Sequence, residues 1–168
     1  MKNFVFFLVP LFLTLATQAQ PSSRHRLTYD LGVSSGTYGG EGYSEVNLGL
    51  SWYLLENLAW RNSVFTRFGS QIDTAAGLDS SARFVFNTRP DERGFGFGAY
   101  AGPGYRFSNQ ENSGPFAEGG ILIRTAGLLF GVGLKALYYN SPGKDSLGRD
   151  KPRNDNTVLL ILGASGAI

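Results

Sequence analysis

Charged side chains recur on one face of successive alternating segments, and they are the residues of this chain best able to do chemistry. The set consists of Asp30, Glu45, Arg61, Arg67, Asp79, Arg83, Arg106, Glu118, Arg124 and Lys135. If their shared face turns away from water, acids and bases must pair, because an unpaired buried charge costs several kcal/mol. We therefore predict a network of ion pairs with Glu45, Glu118, Arg67, Arg83, Arg106 and Lys135 at its centre. The alternative is that some of these charges are hydrated at the ends of the segments.

Catalytic chemistry finds little support in the sequence. His25 is the single histidine, and its spacing implies no partner, so we expect a solvated side chain. The Gly102–Tyr105 segment and the scattered Gly-x-Gly pairs lack the strand-to-helix context and the Lys-Ser/Thr ending of a phosphate loop. The chain has no cysteine, which excludes disulfides and thiolate metal sites. We predict no enzymatic activity, no cofactor and no metal site.

Composition narrows the class of protein. The chain has 168 residues, of which 42% are hydrophobic, 14% aromatic and only 17% charged, and glycine is abundant at 23. One domain is the natural expectation at this length. The net charge is +2, and the Lys and Arg residues do not cluster, so we predict no binding to nucleic acid.

The first 19 residues predict a cleavable secretory signal peptide. Lys2 supplies a positive start, residues 4–15 form an apolar run, and Thr17-Gln18-Ala19 offers small residues for cleavage. The run is shorter than the ~20 residues that a spanning helix needs, and Pro10 interrupts it, although an N-terminal anchor is the alternative. We expect export through the Sec pathway and a mature domain over residues 20–168. The Thr-Gln-Ala-Gln junction resembles signal-peptide ends of Bacteroidetes.

Residues 43–55 are the element around which the rest is organised. Val46, Leu48, Leu50 and Trp52 alternate with small and polar residues, which predicts a strand with one apolar and one polar face. A soluble sandwich would bury the apolar face. A transmembrane β-barrel would invert the arrangement and turn the apolar face to lipid.

Eight such alternating segments follow one another. We predict strands at residues 26–35, 43–55, 58–68, 78–87, 95–107, 116–125, 128–140 and 157–168, with a bulge or bend at Pro103. Links after the odd strands are longer or more polar, whereas links after the even strands are short. Bacterial outer-membrane barrels place long loops outside and short turns in the periplasm, so both termini are expected in the periplasm. A strand of ~10 residues tilted by ~45° spans ~24 Å, close to the ~25 Å apolar band.

Two features favour the membrane arrangement over a secreted soluble barrel. The polar face is rich in glycine, which suits the narrow interior of eight strands. Aromatic residues also cluster at strand ends, where girdles at the two membrane interfaces would lie. The residues concerned are Tyr43, Trp52, Tyr53, Trp60, Phe68, Phe95, Tyr105, Phe107, Phe116, Tyr138 and Tyr139. The predicted fold is an all-β, eight-stranded antiparallel transmembrane up-and-down barrel.

The signal peptide, the eight strands and the layout of links resemble small outer-membrane barrels of the OmpA transmembrane-domain, OmpX and OmpW type. The resemblance covers nearly the whole mature chain and rests on pattern, without a diagnostic motif. It implies an outer-membrane location, contact with lipid and lipopolysaccharide, handling by the barrel-assembly machinery, and a monomer. Such barrels usually end in an aromatic residue, whereas no aromatic follows Tyr139 here.

Residues 141–156 form the longest and most charged predicted loop. Lys144, Arg149, Lys151 and Arg153 are candidates for contact with lipopolysaccharide phosphates or an external partner. The alternative is a solvated loop of balanced charge. Three functions stay open: a closed barrel with a structural or surface-interaction role, a small pore or passage for small or apolar molecules, and a secreted soluble ligand-binding barrel.

Overall fold

The computed structural model describes residues 27–164 except 71, 73, 89–94, 110–112, 126–127, 142–143, 145–149 and 151. The predicted signal peptide and His25 lie outside the described residues. Within them the chain forms eight strands: β1 (Leu27–Tyr38), β2 (Glu41–Leu55), β3 (Leu58–Phe68), β4 (Ala75–Asn87), β5 (Gly96–Ser108), β6 (Gly114–Thr125), β7 (Leu128–Tyr138) and β8 (Asn154–Ala164). No helix among the described residues is long and apolar enough to cross a membrane.

Each strand pairs antiparallel with its neighbour in sequence, and β8 pairs with β1 to close the barrel. This confirms the predicted all-β, eight-stranded antiparallel barrel. Following the strand register around the barrel from Leu27 leads through Trp52 and Trp60 to Asn156 and back to Thr37, ten residues along β1. Such a stagger accompanies a strand tilt of about 35–45°, and eight strands then leave room inside for side chains only.

Several predicted boundaries are wrong. The predicted strands at residues 26–35 and 43–55 leave residues 36–42 as a loop, but β1 and β2 continue through them to a two-residue turn at Gly39 and Gly40. Both glycines have positive φ, 63° and 86°, which is the backbone that a tight hairpin of this kind requires. Strand β8 begins at Asn154, three residues earlier than predicted, so Asp155 belongs to the barrel wall. Pro103 lies within β5 with the same register on both sides, so the predicted bulge is absent, but the pairing with β4 is interrupted there, between the Ser81–Gly104 and Phe84–Ala101 pairs.

The two faces of the barrel wall differ sharply in polarity. Large apolar side chains point outward on every strand, and Leu134, Phe86 and Ile121 are 65%, 64% and 59% exposed. Inward side chains are mostly polar and buried, with Asp79 and Arg106 each 1% exposed. The interior therefore contains the charged side chains, and the outer surface consists of apolar side chains.

The interior has three layers. Tyr38, Tyr43, Phe116, Leu137 and Tyr139 form a cluster towards the end with the β1–β2 turn, which we call the upper cluster. Ala59, Val85, Tyr100, Leu122 and Ile161 form the lower cluster, towards the end where the chain enters and leaves the barrel. Most of the inward charged residues lie between the two clusters.

This layering corrects part of the expected aromatic girdle. Tyr43, Phe116 and Tyr139 are 3%, 5% and 0% exposed inside the barrel, and Tyr53 packs against the lower cluster. Their position near strand ends sets only their height, whereas the alternation of side chains decides which face they occupy. Trp52, Trp60, Phe68, Phe107 and Tyr138 do point outward.

Glycines on the inward face make room for the largest interior side chains. A Cβ atom on Gly49 would overlap the Arg61 guanidinium, and one on Gly133 would overlap the Tyr100 hydroxyl. The absence of a side chain at these positions lets long residues on other strands lie across the interior.

Candidate functional site

Arg106 on β5 is the hub of the interior network. Its Nη1 and Nη2 donate to the two carboxylate oxygens of Glu45 on β2, both at 2.8 Å. Its Nε and Nη2 donate to the two oxygens of Asp79 on β4, both at 2.7 Å. The guanidinium also stacks 3.8 Å from the centre of the Phe65 ring. This planar fork between two carboxylates is a geometry that arginine provides and lysine cannot.

Two further cations extend the hub. The Lys135 ammonium on β7 donates to Asp79 at 2.6 Å, so Asp79 is held between two bases. The Arg67 guanidinium on β3 lies 3.3 Å from Glu45 and 3.1 Å from Asp155. It also stacks on the Tyr43 ring at 3.8 Å.

Asp155 at the start of β8 anchors the upper end of the network. Its carboxylate accepts hydrogen bonds from the Tyr43 hydroxyl at 2.8 and 2.9 Å and from the Tyr139 hydroxyl at 2.6 Å. Burial, reinforced by this neighbouring carboxylate, raises the pKa of the Tyr139 hydroxyl, so Tyr139 stays a donor at ordinary pH. These contacts tie β8 to β2, to β3 and to the end of β7.

Asp155 was missed as a site residue because it was assigned to the preceding charged loop. Asp155 and Thr157 share the parity of the inward Leu159 and Ile161, and this alternation is the signal that could have placed them in the barrel.

A second group of ion pairs lies nearer the lower cluster. Nε and Nη2 of Arg83 each donate to one oxygen of Glu118, both at 2.8 Å, and the Ser81 hydroxyl donates to the same carboxylate at 2.7 Å. On the facing wall, Arg61 forms a two-pronged pair with Asp30. Asn47 and Ser63 accept further hydrogen bonds from the Arg61 guanidinium.

Nine of the ten predicted network residues lie buried in the barrel with a charged partner. With Asp155 they make five acids and five bases, so the charges of this paired set balance. Arg124 differs, since it lies half-buried one residue from the end of β6 and forms no ion pair with a described residue. The structure leaves Arg124 outside the network because it lies beyond the lower cluster, where the barrel opens.

The candidate contact residues of the predicted loop at residues 141–156 fall into two groups. Lys144 and Arg153 are exposed; Lys144 forms a backbone bridge with Asp150, and the Arg153 guanidinium lies 6.0 Å above the Tyr138 ring. Arg149 and Lys151 lie outside the described residues.

A cavity of about 30 Å³ lies beside the lower cluster, with Asp30, Arg83, Tyr100 and Arg124 among its lining residues. That volume holds about two water molecules. Among the described residues no group of three or more His, Cys, Asp or Glu side chains could hold a metal ion. The arrangement can therefore brace the barrel wall from inside, and this cavity is too small for a sizeable ligand.

These features define the class of protein: an eight-stranded antiparallel β-barrel with an ion-paired interior and an apolar outer surface. Comparison with protein-family models, with curated proteins and with solved structures finds no match to this chain.

Proposed function

We propose that this chain is a non-enzymatic integral protein of a bacterial outer membrane, with a structural or surface-interaction role and a largely closed lumen. The observation that carries the proposal is the inverted polarity of the barrel, with apolar side chains outside and paired charges inside. A protein dissolved in water would bury those apolar side chains, because contiguous exposed patches above a few hundred Å² are rare in soluble monomers.

The outer surface is apolar around the whole circumference of the barrel, as contact with lipid requires. Every strand presents at least two large hydrophobic side chains that are more than a third exposed, such as Leu78 and Phe86 on β4. Closure of the barrel leaves no strand edge with unpaired backbone groups, which is the condition for a sheet to exist in lipid. Trp52 and Trp60 face each other on β2 and β3 near the lower end, where an interfacial girdle would lie.

The filled interior supports the closed form over a pore. The upper cluster, the ion pairs and the lower cluster succeed one another along the barrel axis. With both chain ends in the periplasm, the β1–β2 turn and the loop carrying Lys144 and Arg153 would face the outside. Those two cations would then be available to lipopolysaccharide phosphates.

We expect the expressed chain to be recovered in outer membranes, to resist carbonate washing and to require detergent for extraction. Its folded form should migrate differently from the boiled form on a gel, because a barrel held by interior ion pairs resists dodecyl sulfate until it is heated. The measurement is fractionation followed by electrophoresis of boiled and unboiled samples.

A matched pair of variants tests whether lipid or water surrounds the barrel. Leu134→Arg places a charge at mid-strand and should cost about 2–4 kcal/mol of stability in a bilayer, whereas Asn154→Arg, at a strand end, should cost about 0–1 kcal/mol. Free solubility without detergent, with equal tolerance of both variants, would mean a secreted soluble barrel.

We expect the purified protein to give no steady conductance in planar bilayers. The interior charges are paired and both ends carry packed clusters, so a continuous water path has little room. The measurement is single-channel recording at high salt, with protein boiled before reconstitution as the control. Regular ion-selective steps from the folded protein alone would instead establish the pore.

A further inference from the structure

The outer surface carries one polar site in an otherwise apolar region. Asn62 on β3 and Ser80 on β4 point outward, are directly paired across the two strands, and lie near the middle of those strands. All other described outward Ser, Thr and Asn residues on the strands lie within three residues of a strand end. They are Ser35, Thr37, Ser44, Thr66, Thr125, Asn154 and Asn156.

The Asn62 and Ser80 side chains differ in their hydrogen bonding. The Ser80 hydroxyl accepts a hydrogen bond from the Trp60 indole at 2.9 Å. The Asn62 amide forms no side-chain hydrogen bond to another described residue, and the side chain is half-buried between its neighbours. On the proposed membrane placement, this amide lies on the bilayer side of Trp60, and an unpaired amide in hydrocarbon is disfavoured.

We propose that the β3–β4 face around Asn62 binds a second copy of this chain and forms a two-fold symmetric dimer in the membrane. A two-fold axis along the membrane normal brings identical residues together at identical depth. An amide has both a donor and an acceptor, so two Asn62 side chains can satisfy each other with reciprocal hydrogen bonds. A carboxylate or an ammonium at this position would repel its own copy, so the amide is chemically suited to this occupant.

The surrounding residues fit such a contact. Leu50 and Val64 flank Asn62 and are 48% and 57% exposed, so they offer apolar surface around the amide pair. The Trp60 indole is held by Ser80 and therefore covers one side of the site in a fixed position. The proposed dimer differs from the monomer that the resemblance implies, and it rests on the proposed membrane function.

Thiol cross-linking tests the dimer directly, because the chain has no cysteine of its own. Val64→Cys places a thiol on the β3 face, two residues from Asn62. Val132→Cys is the matched control, since Val132 also points outward, is 46% exposed and lies on β7, four strands away around the barrel. Both variants of the full chain are treated in outer-membrane vesicles with a short bis-maleimide and separated by denaturing electrophoresis.

We expect at least fivefold more dimer from Val64→Cys than from Val132→Cys. Adding Asn62→Leu to Val64→Cys should lower the yield to that of the control, since the amide pair is lost while the apolar surface remains. Equal yields from the two single variants, or an undiminished yield with Asn62→Leu, would overturn the dimer. Heat-modifiable mobility is recorded for each variant to show whether the chain is folded in the membrane. A chain that is absent from the membrane fraction would defeat the proposed function. A chain that inserts but gives no cross-linked dimer would defeat only the dimer.

Discussion

Replacing Arg106 with Met is expected to lower the free energy of unfolding by about 3–5 kcal/mol, because the carboxylates of Glu45 and Asp79 lose a shared cation while they remain buried. Arg106 supplies four hydrogen bonds to these two groups. Met keeps an unbranched apolar stem against Phe65, so lost packing contributes little to the expected change. Urea unfolding in detergent micelles, followed by the fluorescence of Trp52 and Trp60, measures the effect.

The same replacement at Arg153 is the control. Arg153 is exposed, and its guanidinium lies only loosely above Tyr138. A surface substitution of this kind should stay within about 0.5 kcal/mol. If Arg106→Met and Arg153→Met changed stability equally, the ion pairs around Arg106 would not be braces of the barrel.

Reversing the charge of Glu118 is expected to have an effect of similar size. Glu118→Lys removes the acceptor of two Arg83 hydrogen bonds and brings a third cation next to Arg83 and Lys135, the latter its direct partner across β6 and β7. The expected loss is about 3–5 kcal/mol, the range for breaking a buried pair. Unchanged stability would contradict a buried pairing of Glu118.

Glu56→Lys gives the matched control, because Glu56 is exposed in the β2–β3 turn. Should Glu118→Lys fail to fold, a milder cycle keeps the pairing testable. Glu118→Gln and Arg83→Met, measured singly and together, should show a coupling energy of about 0.5–3 kcal/mol, as expected for residues in direct contact. Additive losses would mean that the two side chains do not stabilise each other.

The two sets of interior ion pairs connect different strands of the barrel. The Arg106 hub joins β2, β4 and β5, whereas the Arg83–Glu118 pair joins β4 to β6 near the lower cluster. Loss of either should weaken the barrel without altering its apolar exterior. Variants that still fold should therefore remain in the membrane fraction. A loss of stability with the membrane location kept would concern only the interior ion pairs, whereas loss of the membrane location would contradict the membrane proposal.

The alternation of side chains determined most of the fold in advance. Runs such as residues 43–55 and 128–138 change face at every residue, and this local periodicity is sufficient to predict strands and to group the charged residues on one face. The boundaries were less predictable where turn residues continue a strand, as at Gly36 and Gly42, or where charge suggested a loop, as at Asp155. Glycine is compatible with both strand and turn, so composition alone could not distinguish them.

The ion-pair partners within the network could be identified only from the closed barrel. Arg67 meets Asp155 and Arg83 meets Glu118 only because eight strands close with a ten-residue stagger, which brings residues far apart in sequence to the same height. Arg124, on the same face of β6 as Glu118, lies beyond the lower cluster and has no charged partner among the described residues. Sequence by itself thus determined which side chains share a face, because alternation is a local property of the backbone. Only the tertiary structure decided which charges meet, because pairing depends on the height and stagger of strands across the barrel.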